Sequence, residues 1–294
     1  MYIIVYNYVH AVALAKQSEK AGRYTDCSRL IRELIRTHIV SHGTLPQSNQ
    51  HQHQLQAYSN DLTDEERQLL SQSYKQCIGD LRAAWRSIRN MIELNINNNA
   101  TDDTSVSHGF IAGNISYNIH SLSSQQSFTV QLVDDYKKSI ELELQQLCQD
   151  IIQLIEASLL QTVTKTESKI FYLKLVGDYY RYLAEIQPAE YGDKSAQYYQ
   201  QAYQMACNEL ESTNCTRLAV ALNYSVLLYE VIRDKQQACD ISKHAFDVAI
   251  AKLDESEENS YRESTLLMQL LRDNTYVQNY TCRICTYDCM LTMC

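Results

Sequence analysis

The chain has 294 residues, enough for one large helical domain or two small ones around a substantial core. Seven glycines and two prolines leave too little turn chemistry for a sandwich, a barrel or a Gly-rich nucleotide fold, and 45% hydrophobic with 21% charged residues excludes disorder of the whole chain. A formal net charge of -9 argues against a nucleic-acid binder, which needs a basic face, and the lack of an unbroken apolar run of about 18 residues argues against a membrane span.

In chain order, Met1 to Ala15 is apolar and ends in an Ala13-x-Ala15 pattern, but it lacks the basic start of a signal peptide and reads as a core helix. Two helices are expected before His42. Residues 41 to about 60, with Gly43, Pro46 and a Gln/His tract containing His51 and His53, read as an inserted loop. Thr63 stands three residues before Glu66, the pattern of a capping box, and a long helix is expected from there to about Leu94. The Asn-, Ser- and Thr-rich stretch from about 95 to 127 shows no hydrophobic period and reads as a second inserted loop. Leu132, Tyr136, Ile140, Leu144, Leu147, Ile151, Leu154 and Ile155 recur at three- and four-residue steps, which makes one apolar stripe of one helix. Five further periodic segments cover roughly 165–186, 191–210, 215–232, 235–253 and 259–279, with short polar joints that make successive helices antiparallel neighbours. The expected fold is therefore all-α, with about nine antiparallel helices. Helical pairs also raise the possibility of tetratricopeptide-type repeats, but no period near 34 residues is shared.

Of the ten cysteines, the first six are scattered through helix-like patterns, as in a reducing compartment, and are expected to pack as small hydrophobes. Cys282, Cys285, Cys289 and Cys294 crowd the end; their spacing matches no common zinc site, so neither metal nor cofactor is expected.

The most informative segment runs from Ser168 to Glu185. Lys174, Asp178, Arg181 and Tyr182 fall at i, i+4, i+7 and i+8, so a helix presents a cation, a carboxylate, a guanidinium and a phenol on one face. Asp178, one turn before Arg181, is placed to orient the guanidinium. Lys75 and Arg82 lie two turns apart on an earlier helix, supplying a second pair of cations. Two arginines suit charge-assisted bonds to a phosphate, with Lys75 as a point charge and Tyr182 donating its hydroxyl. Elsewhere, Asn223, Val226 and Glu230 share a face beside Leu222, and Leu267, Leu270 and Asn274 share another beside Leu266. A carboxamide can bond both an N–H and a C=O of an extended peptide, although an apolar stripe of this kind is more often core than groove.

These segments closely resemble the signature stretches of the 14-3-3 family, in register from about Leu62 to Asn274 apart from the second loop, and Lys20 to Asp26 resembles the turn between that family's first two helices. The resemblance implies nine antiparallel helices forming a cup with a concave amphipathic groove, as a single domain over about 1–280; the Cys-rich tail, 281–294, is unlike the family's acidic end and is expected to lack fixed structure. It implies a phosphoserine- and phosphothreonine-peptide-binding adaptor that clamps, masks or relocates phosphorylated client proteins. It also implies a homo- or heterodimer, located in the cytoplasm with the nucleus as a second compartment, and neither nucleic acid nor membrane as partner. By position, Lys75, Arg82, Arg181 and Tyr182 match the family's phosphate set. Lys174, Asn223 and Asn274 match its peptide-backbone contacts, with Asp178 beside them. Leu222, Val226, Glu230, Leu267 and Leu270 match its groove wall, and Arg23 and Glu143 match an intersubunit ion pair.

Departures from the family pattern fall at the expected rim and seam. Leu81 and Val176 stand where arginine and lysine are common, and Gln278 replaces a tryptophan. Ser139 replaces the lysine expected opposite Asp26, and Gln17 an apolar seam residue. A catalytic role is not supported, because Glu-x-x-His, a phosphate-binding Gly loop and a nucleophile elbow are all missing. The alternative is a helical scaffold whose groove no longer needs phosphate.

Overall fold

A computed structural model describes residues 2–43, 61–100, 124–253 and 258–279, with side chains for 10–37, 61–93, 131–253 and 262–275. Every regular element among these residues is helical. The chain runs through α1 (Tyr2–Lys20), α2 (Tyr24–Gly43), α3 (Asp64–Ala100) and α4 (Ser124–Leu154), the last continued by a π-turn over Ile155–Leu159 and a final turn, Leu160–Thr162. Then follow α5 (Thr166–Ala184), α6 (Pro188–Glu209), α7 (Cys215–Leu227) with a π-turn over Leu228–Ile232, α8 (Lys235–Ile250) and α9 (Glu258–Asn279). The second loop expected from sequence is shorter at both ends than its polar composition suggested, because the backbone stays helical through Ala100 and again from Ser124. The Gln/His tract and the Cys-rich tail lie outside the described residues.

Local chemistry sets the helix ends. Gly22 has φ 69°, and its N–H bonds Glu19 O at 2.8 Å while Arg23 N–H bonds Ser18 O at 2.8 Å, a left-handed stop that satisfies two carbonyls of α1 and turns the chain into α2. At the start of α3 the capping box forms as expected: Glu66 N donates to Thr63 Oγ1 at 3.3 Å and Thr63 N to Glu66 Oε2 at 2.8 Å. Asp61, just before it, reaches 103 residues along the chain, accepting from Thr164 N at 2.9 Å and, 104 residues along, from Lys165 N at 3.0 Å. It therefore caps α5, which has no side-chain cap of its own. Burial pushes the Asp61 carboxyl up, but these N–H groups and the Thr164 hydroxyl outweigh it and hold it below the usual carboxylate range. Pro188 opens α6, and Asn214 and Asp234 cap α7 and α8.

The described residues form two compact units, one comprising 1–77 with 147–294 and the other 78–146. In the first unit α5 packs on α6, α6 on α7, and α7, α8 and α9 on one another. One of its apolar clusters joins Leu218, Leu222 and Leu227 of α7 to Ala238, Ala245 and Ala249 of α8 and Leu267, Met268 and Leu271 of α9. Residues 215–232 are long and apolar enough to cross a membrane by length and composition, which the count of unbroken apolar residues missed, yet this segment is the middle of that core and carries Asn223 and Glu230. In the second unit Trp85 Nε1 donates to Glu141 Oε1 at 2.7 Å, joining α3 to α4, and Arg89 lies over the Trp85 ring. The apolar stripe of α4 is buried at Ile140, Leu144, Ile151 and Ile155, but its first two members, Leu132 and Tyr136, are each 60% exposed. No disulfide links the six cysteines from Cys27 to Cys239.

Candidate functional site

The site on α5 centres on a buried carboxylate. Asp178 takes a bond from Lys174 Nζ at 3.0 Å, one from Asn223 Nδ2 of α7 at 2.7 Å, and one from the hydroxyl of Tyr199 on α6. Three helices thus meet on one side chain. Burial pushes the Asp178 carboxyl up, but the charges of Lys174 and Arg181 and the Tyr199 hydroxyl outweigh it, so it stays ionised below the ordinary range. Burial drives the Tyr199 phenol well above its ordinary value, and it remains a protonated donor.

Arg181 is only 4% exposed. Its Nε donates to the Tyr199 hydroxyl at 3.3 Å, whereas its nearest terminal nitrogen is 4.0 Å from Asp178 Oδ1, beyond hydrogen-bond reach. The orientation expected from the i, i+3 spacing of Asp178 and Arg181 is therefore relayed through a third residue. The guanidinium carbon also lies 4.9 Å from the centre of the Tyr182 ring, a cation–π arrangement that holds the next predicted site residue against it. Tyr182 in turn meets Tyr179 edge-on, and Tyr179 meets Tyr74 of α3.

Tyr74 fixes the register of α3 here: its hydroxyl donates to Asp150 Oδ2 at 2.8 Å, and Arg32 of α2 grips the same oxygen at 2.6 Å. Lys75 follows it, half-buried. Arg82, buried at 3% exposure, belongs to the second unit.

Asn223 is buried at 2% exposure, and its Oδ1 has no hydrogen-bond partner among the described residues. An unpaired carbonyl so deeply buried is uncommon. Asn274 of α9 donates to Ser225 Oγ at 3.2 Å, and Ser225 donates to Leu222 O at 2.8 Å, tying the ends of α7 and α9. Leu222, Leu267 and Leu270 belong to the apolar cluster described above, so the residues expected as groove wall are also core, while Val226 and Glu230 are half-buried. Tyr199 and Ser225 were not foreseen from sequence. Tyr199 sits among the aromatic residues of α6 with no motif to separate it from core, and only the fold brings it to Asp178.

Comparison with known proteins places the whole chain in a family. A family model described as 14-3-3 protein matches residues 14–277. The chain belongs to the 14-3-3 family. It is 36% identical over 267 residues to 14-3-3-like protein G-BOX factor 14 kappa of Arabidopsis thaliana, covering 90% of each chain. It is 37% identical to 14-3-3-like protein B of Hordeum vulgare over 90% of this chain and 85% of that one. It is 34% identical to 14-3-3 protein beta/alpha of Bos taurus over 90% and 89%. Members of the 14-3-3 family are non-enzymatic adaptors, generally soluble and cytoplasmic, that dimerise and bind client proteins.

Set against the 14-3-3 pattern, the departures separate physically. Val176, expected at the rim, is fully buried, so an apolar residue there extends the core and leaves the rim unchanged. Leu81 is half-buried, and the side chain of Gln278 lies outside the described residues. Of the 14-3-3 seam positions, Glu143, Ser139 and Gln17 are exposed, and exposed Arg23 is paired with Asp26 of its own helix start, which Arg29 also holds at 3.2 Å.

Proposed function

We propose that this 14-3-3 protein, as one helical domain over about residues 1–280, captures phosphoserine or phosphothreonine segments of client proteins and clamps, masks or relocates them. Lys75, Arg181 and Tyr182 hold the phosphate; Arg82, matched to the same set by position, lies in the second unit. Lys174, Asn223 and Asn274 hold the peptide backbone beside Asp178, and Leu222, Val226, Leu267 and Leu270, with Glu230 among them, form the apolar wall. The observation that carries this reading is the buried Asn223 carboxamide: its nitrogen is committed to Asp178, and its unpartnered oxygen suits a backbone N–H of a bound peptide.

Charge supports the same reading. Lys174 and Arg181 both stand beside the Asp178 carboxylate, in a molecule whose formal net charge is -9. A phosphate brings about -1.5 to -2 charges and three acceptor oxygens to such a place. Bonds from charged donors contribute on the order of 1.5–3 kcal/mol each. A dimer built through Arg23 and Glu143 holds doubly phosphorylated clients with avidity that exceeds single-site affinity by roughly 10²–10⁴. The acidic surface favours neither nucleic acid nor anionic membrane, and the location is cytoplasmic.

Fluorescence polarisation with a phosphoserine peptide library and its unphosphorylated counterpart tests the reading. Tight binding of the phosphorylated set alone is expected, with Arg181→Ala weakening it by at least roughly tenfold. Equal affinity for both sets replaces the adaptor with a phosphate-independent scaffold, and an unaffected Arg181→Ala variant removes the site assignment.

A further inference from the structure

Arg181 and Asp178 are joined by a residue that sequence pattern does not reveal. The Arg181 Nε–H donates to the Tyr199 hydroxyl, and that hydroxyl donates to Asp178 Oδ1, while the direct approach of Arg181 to Asp178 stops at 4.0 Å. The phenol is thus the middle link of a directed chain from guanidinium to carboxylate.

The ring that carries this hydroxyl has little freedom. Tyr199 is fully buried and stacks on Tyr224, with ring centres 6.0 Å apart and planes 20° from parallel. On its other side it lies against the backbone of Gly177, close enough that a Cβ there would sit 3.1 Å from ring carbons. Ser195, one turn earlier on α6, donates to Gly177 O at 2.8 Å and keeps the two helices at that spacing. A side chain held from both faces fixes its hydroxyl within the narrow tolerance that a positioned binding group needs.

We propose that Tyr199 is a positioning residue for phosphate capture, its hydroxyl locking the Arg181 guanidinium through Nε so that the terminal nitrogens are the ones presented to the phosphoryl group. This rests on the adaptor reading above. Anchoring at Nε fixes the plane of the guanidinium, and a planar fork loses less freedom per bond when that plane is set in advance. Tyr199 touches no ligand itself; it acts through Arg181 and through Asp178, the shared counter-charge.

The test uses the full chain and a fluorescein-labelled phosphoserine peptide, the tightest member of the library, with its unphosphorylated twin. Tyr199→Phe keeps the ring and removes only the hydroxyl; Tyr224→Phe, whose ring stacks on Tyr199, is the packing control. Tyr199→Phe is expected to weaken the phosphopeptide by about tenfold, the scale of one hydrogen bond to a charged group, with Tyr224→Phe close to the parent protein. In the background of Arg181→Lys, which lacks Nε in a guanidinium plane, adding Tyr199→Phe is expected to cost little more, because the two changes remove one coupled device. Unchanged phosphopeptide affinity in Tyr199→Phe, an equal loss in Tyr224→Phe, or fully additive losses with Arg181→Lys each overturn the proposal while leaving the adaptor reading in place. If the parent protein itself does not distinguish the two peptides, both fall together. Should Tyr199→Phe lower the thermal midpoint, the coupling with Arg181→Lys, read below both midpoints, still decides.

Discussion

Asp178 carries one negative charge beneath two positive ones, and its removal shows what a buried carboxylate is for. Asp178→Asn removes the carboxylate that half-buried Lys174 and buried Arg181 face, which is expected to destabilise the chain by about 1–3 kcal/mol in urea unfolding and to abolish phosphopeptide binding. Asp61 provides a gentler case with a defined acid signature. Its carboxyl titrates below the ordinary range when folded, so its contribution is complete above about pH 4 and fades as pH falls through the folded value. Asp61→Ala is expected to cost about 1–2 kcal/mol at pH 7 and to flatten the loss of stability below about pH 4, measured by denaturant titration at falling pH. The sequence disclosed Lys174, Asp178, Arg181 and Tyr182 because they share one helix face, a property of spacing alone. It did not disclose Tyr199 or the reach of Asp61, since each acts across helices that only the folded chain brings together.

Helices were the most readable level, for reasons visible in their ends. Thr63 and Glu66 marked the start of α3 because the capping box is local chemistry, complete within four residues. Thr63→Ala is expected to remove about 1 kcal/mol and lower the melting temperature by about 2–4 °C in calorimetry. The ends of α3 and α4 near the second loop were misjudged because polar composition says little about a helix that continues past its last apolar contact. The stripe of α4 likewise has the right period but is buried only in part: Leu132 and Tyr136 keep the spacing of a core face while standing in solvent on the single protomer. Between α5 and α6 the close approach depends on one missing methyl group. Gly177→Ala improves helix propensity by about 1 kcal/mol, but the new Cβ meets a Tyr199 ring pinned by Asp178 and Tyr224, and overpacking of about 1–3 kcal/mol is expected to win. Thermal unfolding and phosphopeptide affinity are both expected to fall in that variant.

At the scale of the whole molecule, family membership implies pairing of protomers, and exposed Leu132 and Tyr136 match that need for apolar surface left uncovered in one copy. Tyr136→Glu is expected to raise the monomer fraction in sedimentation velocity without lowering the melting temperature, because the ring buries little within its own chain. Glu143→Lys is expected to weaken self-association most at low ionic strength, the difference shrinking as salt screens the charges. Arg23 and Glu143 are seam expectations taken from position alone, and the pairing of Arg23 with Asp26 beside it depends on the turn at Gly22.

The reach of Asp61 also sets an order of events on the ribosome. Its two amide partners are made 103 and 104 residues later, so at translation speeds of about 5–20 residues per second the carboxylate waits roughly 5–20 s for them. Until then the first four helices are synthesised while the Asp61 carboxylate lacks the amides it holds in the finished fold, and a nascent chain stalled before Thr164 never acquires them.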